Sequence, residues 1–343
     1  MPIEPWRATC IQMPSVRAAS AADRLAAWEI ISANVARAMA LIEQAADGSQ
    51  PARLYVLPEF AFSGPPQGGS VQAWIDKACY CLPGPVTAPL QALAARRQIY
   101  IGGNMFETGP DWAGRYFNSC FLIGPNGDVI LRFRRINTAT FPSPHDFLDE
   151  YLARYGFEGT FPVVDTPLGR LAMIACGEIA VPEVARVLMM RGAEVILHPT
   201  NEAYSPAQEA AKVARAGENM AYVVSANVAG GIGFSPDGSI RGGRSRILDF
   251  RGETLACQPD AEESVAVSAV IDVQALRDAR CDLGMANTLI RTRWEMYREF
   301  YQRMAAYPAN HFLQTPMSDP ALARPAAEMG LANLISSGVI APR

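Results

Sequence analysis

Residues 171–200 read LAMIACGEIAVPEVARVLMMRGAEVILHPT, and this segment constrains the fold more than any other. An apolar run ends at Cys176 and a tight turn follows. Pro182 stands where a helix begins, Gly192 where it ends, and a second apolar run closes the unit. Proline is tolerated in the first turn of a helix, and two strands joined through a helix form a βαβ-like unit. Other short apolar or alternating runs lie at 7–13, 53–59, 99–106, 118–125, 221–229, 245–250 and 265–272. Helical patterns occupy 21–46, 88–97, 182–191 and 205–219. Strand and helix alternate, which predicts an α/β layered fold. The turn-rich pentapeptides GPNGD (124–128) and DFRGE (249–253) predict hairpins, so antiparallel pairing is mixed into the sheets.

Composition narrows the partners. Of 343 residues 19% are charged and the formal net charge is −4, with no basic tract to attract nucleic acid or anionic lipid. A small molecule is the expected partner. The start lacks a basic segment followed by an apolar one, and no apolar run is read as reaching the ~18 residues of a membrane span. Seven cysteines, an odd number scattered along the chain, fit reduced thiols rather than a disulfide framework, and the expected location is the cytoplasm. Cys79 and Cys81 are spaced for neither a redox pair nor a zinc knuckle, and with three histidines no metal or other cofactor is expected. No low-complexity linker precedes about residue 305, so 1–305 is read as one domain. Residues 306–343 are read as an arm that packs on a partner subunit or as a poorly ordered tail.

Two ionisable residues sit where α/β proteins place their chemistry. Glu59 ends the run LYVLPE, where apolar surroundings raise a carboxylate toward the pKa of a general base; the plainer reading is a loop cap or an arginine partner. Cys176 ends its strand against Gly177, whose backbone N–H could meet an oxyanion; the plainer reading is a packed thiol.

The order of five motifs decides between these readings. LPEF, RFRR, IACGE, RAGENMAYVVSANVAG and GGRSRILDFRGETLA together resemble the nitrilase superfamily of carbon–nitrogen hydrolases, over about residues 6–300. The resemblance implies a four-layer αββα sandwich with mixed sheets, assembled as a homodimer or higher homo-oligomer. It also implies a Glu, Lys, Cys triad. Glu59 falls on the general base and Cys176 on the nucleophile, but Arg135 stands at the lysine position, after Arg134. Lys77 is the only lysine between Glu59 and Cys176, and it lies too early to substitute. Arginine supplies charge and hydrogen bonds yet cannot release a proton, and a bidentate pair with Glu59 would depress the base.

The implied activity is therefore that of an amidase-like hydrolase cleaving the C–N bond of a small amide through a Cys176 thioester, Arg135 and Gly177 steadying the oxyanion. Alternatives are acyl transfer to a nitrogen nucleophile, or a binding homologue weakened by Arg135. A supporting glutamate is assigned to Glu150, with Asp149 its closest rival. Asn201, Glu202 and Tyr204 are assigned to substrate, His145 to a helix entry, and Glu218 and Asn219 to hydrogen bonds tying helix to sheet.

Overall fold

The computed structural model describes residues 2–138, 141–235 and 237–342. Its strands are β1 (Trp6–Gln12), β2 (Leu54–Val56), β3 (Tyr100–Glu107), β4 (Phe117–Ile123), β5 (Val129–Arg134), β6 (Val163–Thr166), β7 (Gly169–Met173), β8 (Val195–Thr200), β9 (Tyr222–Asn227), β10 (Arg246–Leu248), β11 (Thr254–Cys257) and β12 (Ser264–Ile271). They form two six-stranded sheets, ordered β12-β1-β2-β3-β4-β5 and β11-β10-β9-β8-β7-β6. Each has a parallel centre, β1-β2-β3 in one and β7-β8-β9 in the other, flanked by antiparallel strands. The GPNGD turn joins β4 to β5, and DFRGE joins β10 to β11, as their turn chemistry predicts.

Side-chain alternation separates the layers. From β2, Leu54 and Val56 face a core shared with Leu171, Met173 and Leu197 of the second sheet, whereas Tyr55 faces a core shared with the first sheet's covering helices. The sheets meet closely at Gly102 of β3: a Cβ there would lie 3.2 Å from Leu197 Cδ1 and 3.5 Å from Met173 Cε. Helices α1 (Arg24–Ala46), α2 (Val71–Ala78) and α3 (Ala88–Arg97) cover the first sheet. Helices α5 (Pro182–Met190), α6 (Pro206–Asn219) and α7 (Val273–Cys281) cover the second, and α4 (Leu148–Thr160) leads from β5 toward β6. The result is the αββα sandwich of the nitrilase type.

Helix α1 is capped by Asp23, whose carboxylate accepts from Ala26 N at 2.9 Å. By length and composition alone it is apolar enough to cross a membrane, contrary to the sequence reading. Its buried residues Ala27, Ile31, Val35, Ala38 and Ile42 recur at helical spacing and pack in the core of the first sheet.

The C-terminal residues also differ from expectation. Helix α8 (Glu295–Arg303) leads into a strap that returns over the chain's own first sheet, followed by α9 (Ala323–Ser336). Arg115 donates to the carbonyls of Phe312 and Leu313 at 3.0 and 2.9 Å, and Val71 N donates to Ser318 O at 2.9 Å. Phe312, Met317 and Ala323 are buried in the same core as α1. Backbone pairing and scattered apolar anchors, rather than a periodic stripe, hold this segment.

Candidate active site

The carboxyl ends of the central strands converge on one point, where α/β folds collect ligands. Past β2 the chain bends at Pro58. Leu57 N donates to Gly102 O at 2.8 Å and Glu59 N to Thr200 O at 3.2 Å, so the carboxylate is held between the sheets. Glu59 is 1% exposed. Its Oε1 accepts from Asn118 Nδ2 at 2.8 Å and from Arg135 Nη1 at 3.3 Å. Asn104 orients Asn118 through its own amide and takes Phe60 N at 3.1 Å, fixing both sides of Glu59.

Pleating places the two arginines at the end of β5 on opposite faces. Arg134 points outward to a bidentate pair with Glu107, at 2.6 and 3.0 Å. Arg135 continues the ladder through its N–H to Asn118 O at 2.9 Å, and its guanidinium turns inward. It makes one contact with Glu59, through Nη1, not the bidentate pair anticipated, while Nε donates to Asn137 O at 3.1 Å. Burial therefore dominates and raises the Glu59 pKa above the usual carboxylate range, with Arg135, Cys176 and Asn118 opposing it less strongly.

Strand β7 stops at Met173, short of the run that continues to Glu178 in the sequence. Cys176 then adopts φ +41° at the start of a 3₁₀ turn, a left-handed conformation that a non-glycine residue holds only when its surroundings enforce it. His198 is the enforcer. Its Nε2 lies 2.8 Å from Cys176 O, and because a carbonyl only accepts, that nitrogen bears the proton; Nδ1 then accepts from Ser225 Oγ at 2.9 Å. Burial drives the His198 pKa down to about 3, so the ring is neutral and this tautomer persists. Thr200 Oγ1 donates to the thiol at 3.3 Å. Burial, then the Glu59 and Glu202 carboxylates, push the thiol pKa well up, which makes the resting nucleophile a protonated thiol requiring a base. Gly177 has no spare room: a Cβ would sit 3.2 Å from Arg135 Nη2.

Glu178, in the quoted motif but given no role by sequence reasoning, is fully buried beside this centre. Its Oε1 accepts from Ile136 N at 3.0 Å, Asn137 N at 2.7 Å and Asn137 Nδ2 at 3.0 Å, clamping the backbone just after Arg135. Burial pushes its pKa up to about 7 despite Arg135 and these bonds. The signal was present, since an acid inside the apolar run IACGEIAV must be buried with partners. Asn118, His198 and Thr200 were missed for want of any such local signal.

Several assignments need correction. Glu150 is exposed on α4, as is Asp149; the acid that faces inward is Asp146, in the 3₁₀ turn Pro144–Phe147 that precedes the helix. Asp146 is buried, accepts from Ser143 N at 2.8 Å, and has its pKa pushed up to about 6 by burial. Tyr204 is 61% exposed beneath Arg244, 5.0 Å from its ring, and lies outside the centre. Asn201 and Glu202 are inside it, but as supports. Asn201 donates to Glu59 O at 3.4 Å and accepts from Gly233 N at 2.7 Å. Glu202 is an ion-pair partner of the buried Lys212, 2.5 Å away. Lys77 bonds Ala21 O at 2.8 Å, remote from the centre. Glu218 and Asn219 bond to Arg215 of α6 itself and to Arg186 and Arg280 of neighbouring helices, so they tie helix to helix rather than to sheet.

A cavity of about 770 Å³ opens beside Arg135, walled by Ile136, Asn137, Phe141, His145, Asp146 and the C-terminal strap; of Glu59, Arg135 and Cys176 it touches Arg135 alone. Among the described residues no three His, Cys, Asp or Glu side chains converge as a metal site would require. The geometry suits proton transfer from a thiol to a buried carboxylate, with a fixed cation alongside.

Comparison with known proteins shows the family and the fold. The profile of the carbon-nitrogen hydrolase family matches residues 7–280. The omega-amidase NIT2 of Homo sapiens is 29% identical over 255 residues, covering 73% of this chain and 87% of that protein. The crystal structure of Saccharomyces cerevisiae Nit3, a member of branch 10 of the nitrilase superfamily, superposes with a TM-score of 0.63 at 20% identity, covering 82% of this chain and 95% of that one. A mutant amidase from Nesterenkonia sp. AN1, solved with the acetamide moiety of fluoroacetamide covalently added at its active-site cysteine, superposes with a TM-score of 0.59 at 20% identity, covering 86% and 96%.

Proposed function

The chain belongs to the carbon–nitrogen hydrolase family of the nitrilase superfamily and is an enzyme of that class, and from that premise we propose that it hydrolyses an amide through an acyl thioester on Cys176. The observation behind this reading is the convergence of Glu59, Arg135 and Cys176 from three separate strand ends. Glu59 takes the thiol proton as sulfur attacks the amide carbon. The oxyanion meets the Arg135 guanidinium and the Gly177 N–H. Glu59 returns the proton to nitrogen as the C–N bond breaks and the amine leaves. Water then attacks the thioester, gives its proton to Glu59, and the acid departs as sulfur takes that proton back.

Arg135 holds its proton throughout. Every proton therefore travels by way of Glu59, and the raised pKa lets this carboxyl carry one between steps. Incubation with a panel of amides, quenching and mass spectrometry test the scheme. An acyl adduct on Cys176, absent in Cys176→Ala, is expected; no adduct with any amide would point to the binding homologue. If hydroxamate formation with hydroxylamine far outruns hydrolysis, acyl transfer replaces hydrolysis. Amidase activity confined to Arg135→Lys would mean that the natural chain is no ordinary amidase.

The same proposal includes a homodimer or higher homo-oligomer in a reducing cytoplasm, acting on a small molecule. The exposed apolar side chains Leu283, Met285, Met296, Phe300 and Tyr301 on and before α8 support self-association, because a patch of this kind marks a contact surface. All seven cysteines are free thiols, which supports the compartment.

A further inference from the structure

The family profile ends at residue 280, yet the cavity beside Arg135 is closed by chain that lies well beyond it. Met304–Ala309, Met317 and Ala323 form one wall, facing Phe141, His145 and Asp146. This wall is a fixture. Asn310 N donates to His145 O at 3.0 Å and Phe312 N to Asp146 O at 2.9 Å, so the strap is bonded to the opposite side of the cavity. Asn333 of α9 donates to Ala306 O at 2.9 Å and braces the strap from behind.

We infer that residues 304–309 are a specificity-determining wall of the substrate pocket, and that they select amides with a bulky, uncharged body over one- or two-carbon amides. The inference rests on the amidase reading above. A cavity of about 770 Å³ is in the range that holds ligands of drug size, so a very small amide leaves most of it unfilled. The C-terminal wall sets Met304, Ala305, Ala306 and Pro308 across from Phe141, beside the uncharged polar Tyr307 and Asn333, so it can bury the body of a larger substrate without a charge to pair it. Charge is poorly matched. The guanidinium on the wall, Arg135, already holds Glu59, and burial lowers the pKa of His145 and keeps it neutral. Asp146 would repel an anionic tail. Arg135 is the member of the triad on the cavity wall, so the amide itself would lie at that end.

Steady-state kinetics of the full-length protein with acetamide, hexanamide, phenylacetamide and the carboxylate-bearing succinamate test this. The wild type is expected to show rising kcat/KM from acetamide to hexanamide and phenylacetamide, with succinamate poorer than hexanamide. Ala306→Phe fills the cavity without disturbing the backbone bond to Asn333. It should lower the ratio of kcat/KM for phenylacetamide over acetamide by about tenfold or more, with the loss in KM. Ala309→Phe, farther along the strap, should do the same should Ala306→Phe fail to fold. A wild-type preference for acetamide, or a ratio unmoved in the folded variant, overturns the inference and leaves the chemistry at Cys176 intact. If no amide acylates Cys176 in the wild type, the amidase reading fails and this one falls with it.

Discussion

Replacing Glu178 by glutamine removes a titration while keeping nearly every atom in place. The side chain is fully buried and three N–H groups converge on Oε1, so a glutamine carbonyl oxygen can take over that position. Burial holds the carboxyl pKa near 7 in the fold, against an ordinary value of 4.5. Between those two pH values the unfolded chain has lost this proton and the folded chain has kept it. The folded state then binds more protons, so stability falls as pH rises through the window. At 1.36 kcal/mol for each pH unit, the gap from 4.5 to about 7 corresponds to about 3 kcal/mol. For a chain of this length that is about 4 °C in Tm. Glutamine has no such dependence. The stability of Glu178→Gln relative to wild type should therefore be flat below about pH 4.5, climb by about 3 kcal/mol toward pH 7, and level off above it. Paired urea or thermal melts at about pH 5 and pH 8 measure the difference. A difference that does not change with pH, or a wild type that gains on the variant as pH rises, would show that Glu178 is ionised in the fold as a partner of Arg135, and the reasoning would fail.

Three further outcomes follow from the same geometry. His198→Leu deprives Cys176 O of its donor and Ser225 of its acceptor; we expect kcat on a good amide to fall about 10- to 100-fold with about 1–3 kcal/mol lost in stability, and an unaltered kcat would refute the role of His198 in holding the nucleophile. Asn118→Ala removes a bond that lowers the Glu59 pKa, so the acid limb of the kcat/KM profile should move to higher pH; a shift to lower pH contradicts Glu59 as the base. Phe300→Asp places a charge on the exposed apolar face of α8 and should halve the mass seen by light scattering, or leave it unchanged if self-association uses another surface.

What could be read from the sequence depended on how local its cause was. The hairpin at 124–128 was legible because its turn residues specify the conformation themselves, and the unit at 171–200 because strand and helix differ in period. Glu59 and Arg135 are 76 residues apart and Arg135 and Cys176 a further 41, so no local pattern unites them; only the order of whole motifs did. The start of α4 was not legible: residues 144–147 form a separate 3₁₀ turn that buries Asp146, and the helix begins only at Leu148 with Asp149 and Glu150 exposed. The strap escaped for a similar reason: it is anchored by carbonyls that every residue has, through Arg115 and Val71, and its apolar contacts keep no period.

Arg135 marks the deeper boundary. Its identity was plain in the sequence, and so was the chemistry it rules out, because a guanidinium cannot release a proton wherever it stands. Its effect on Glu59 was not plain. A paired arginine lowers a carboxylate pKa and burial raises it, and which prevails depends on how many guanidinium nitrogens reach the acid. Here one nitrogen, Nη1, reaches Glu59 at 3.3 Å, Nε is turned to Asn137 O, and burial prevails. The basicity that Cys176 requires is thus set by the depth at which the two sheets hold Glu59, a determinant carried by no residue type.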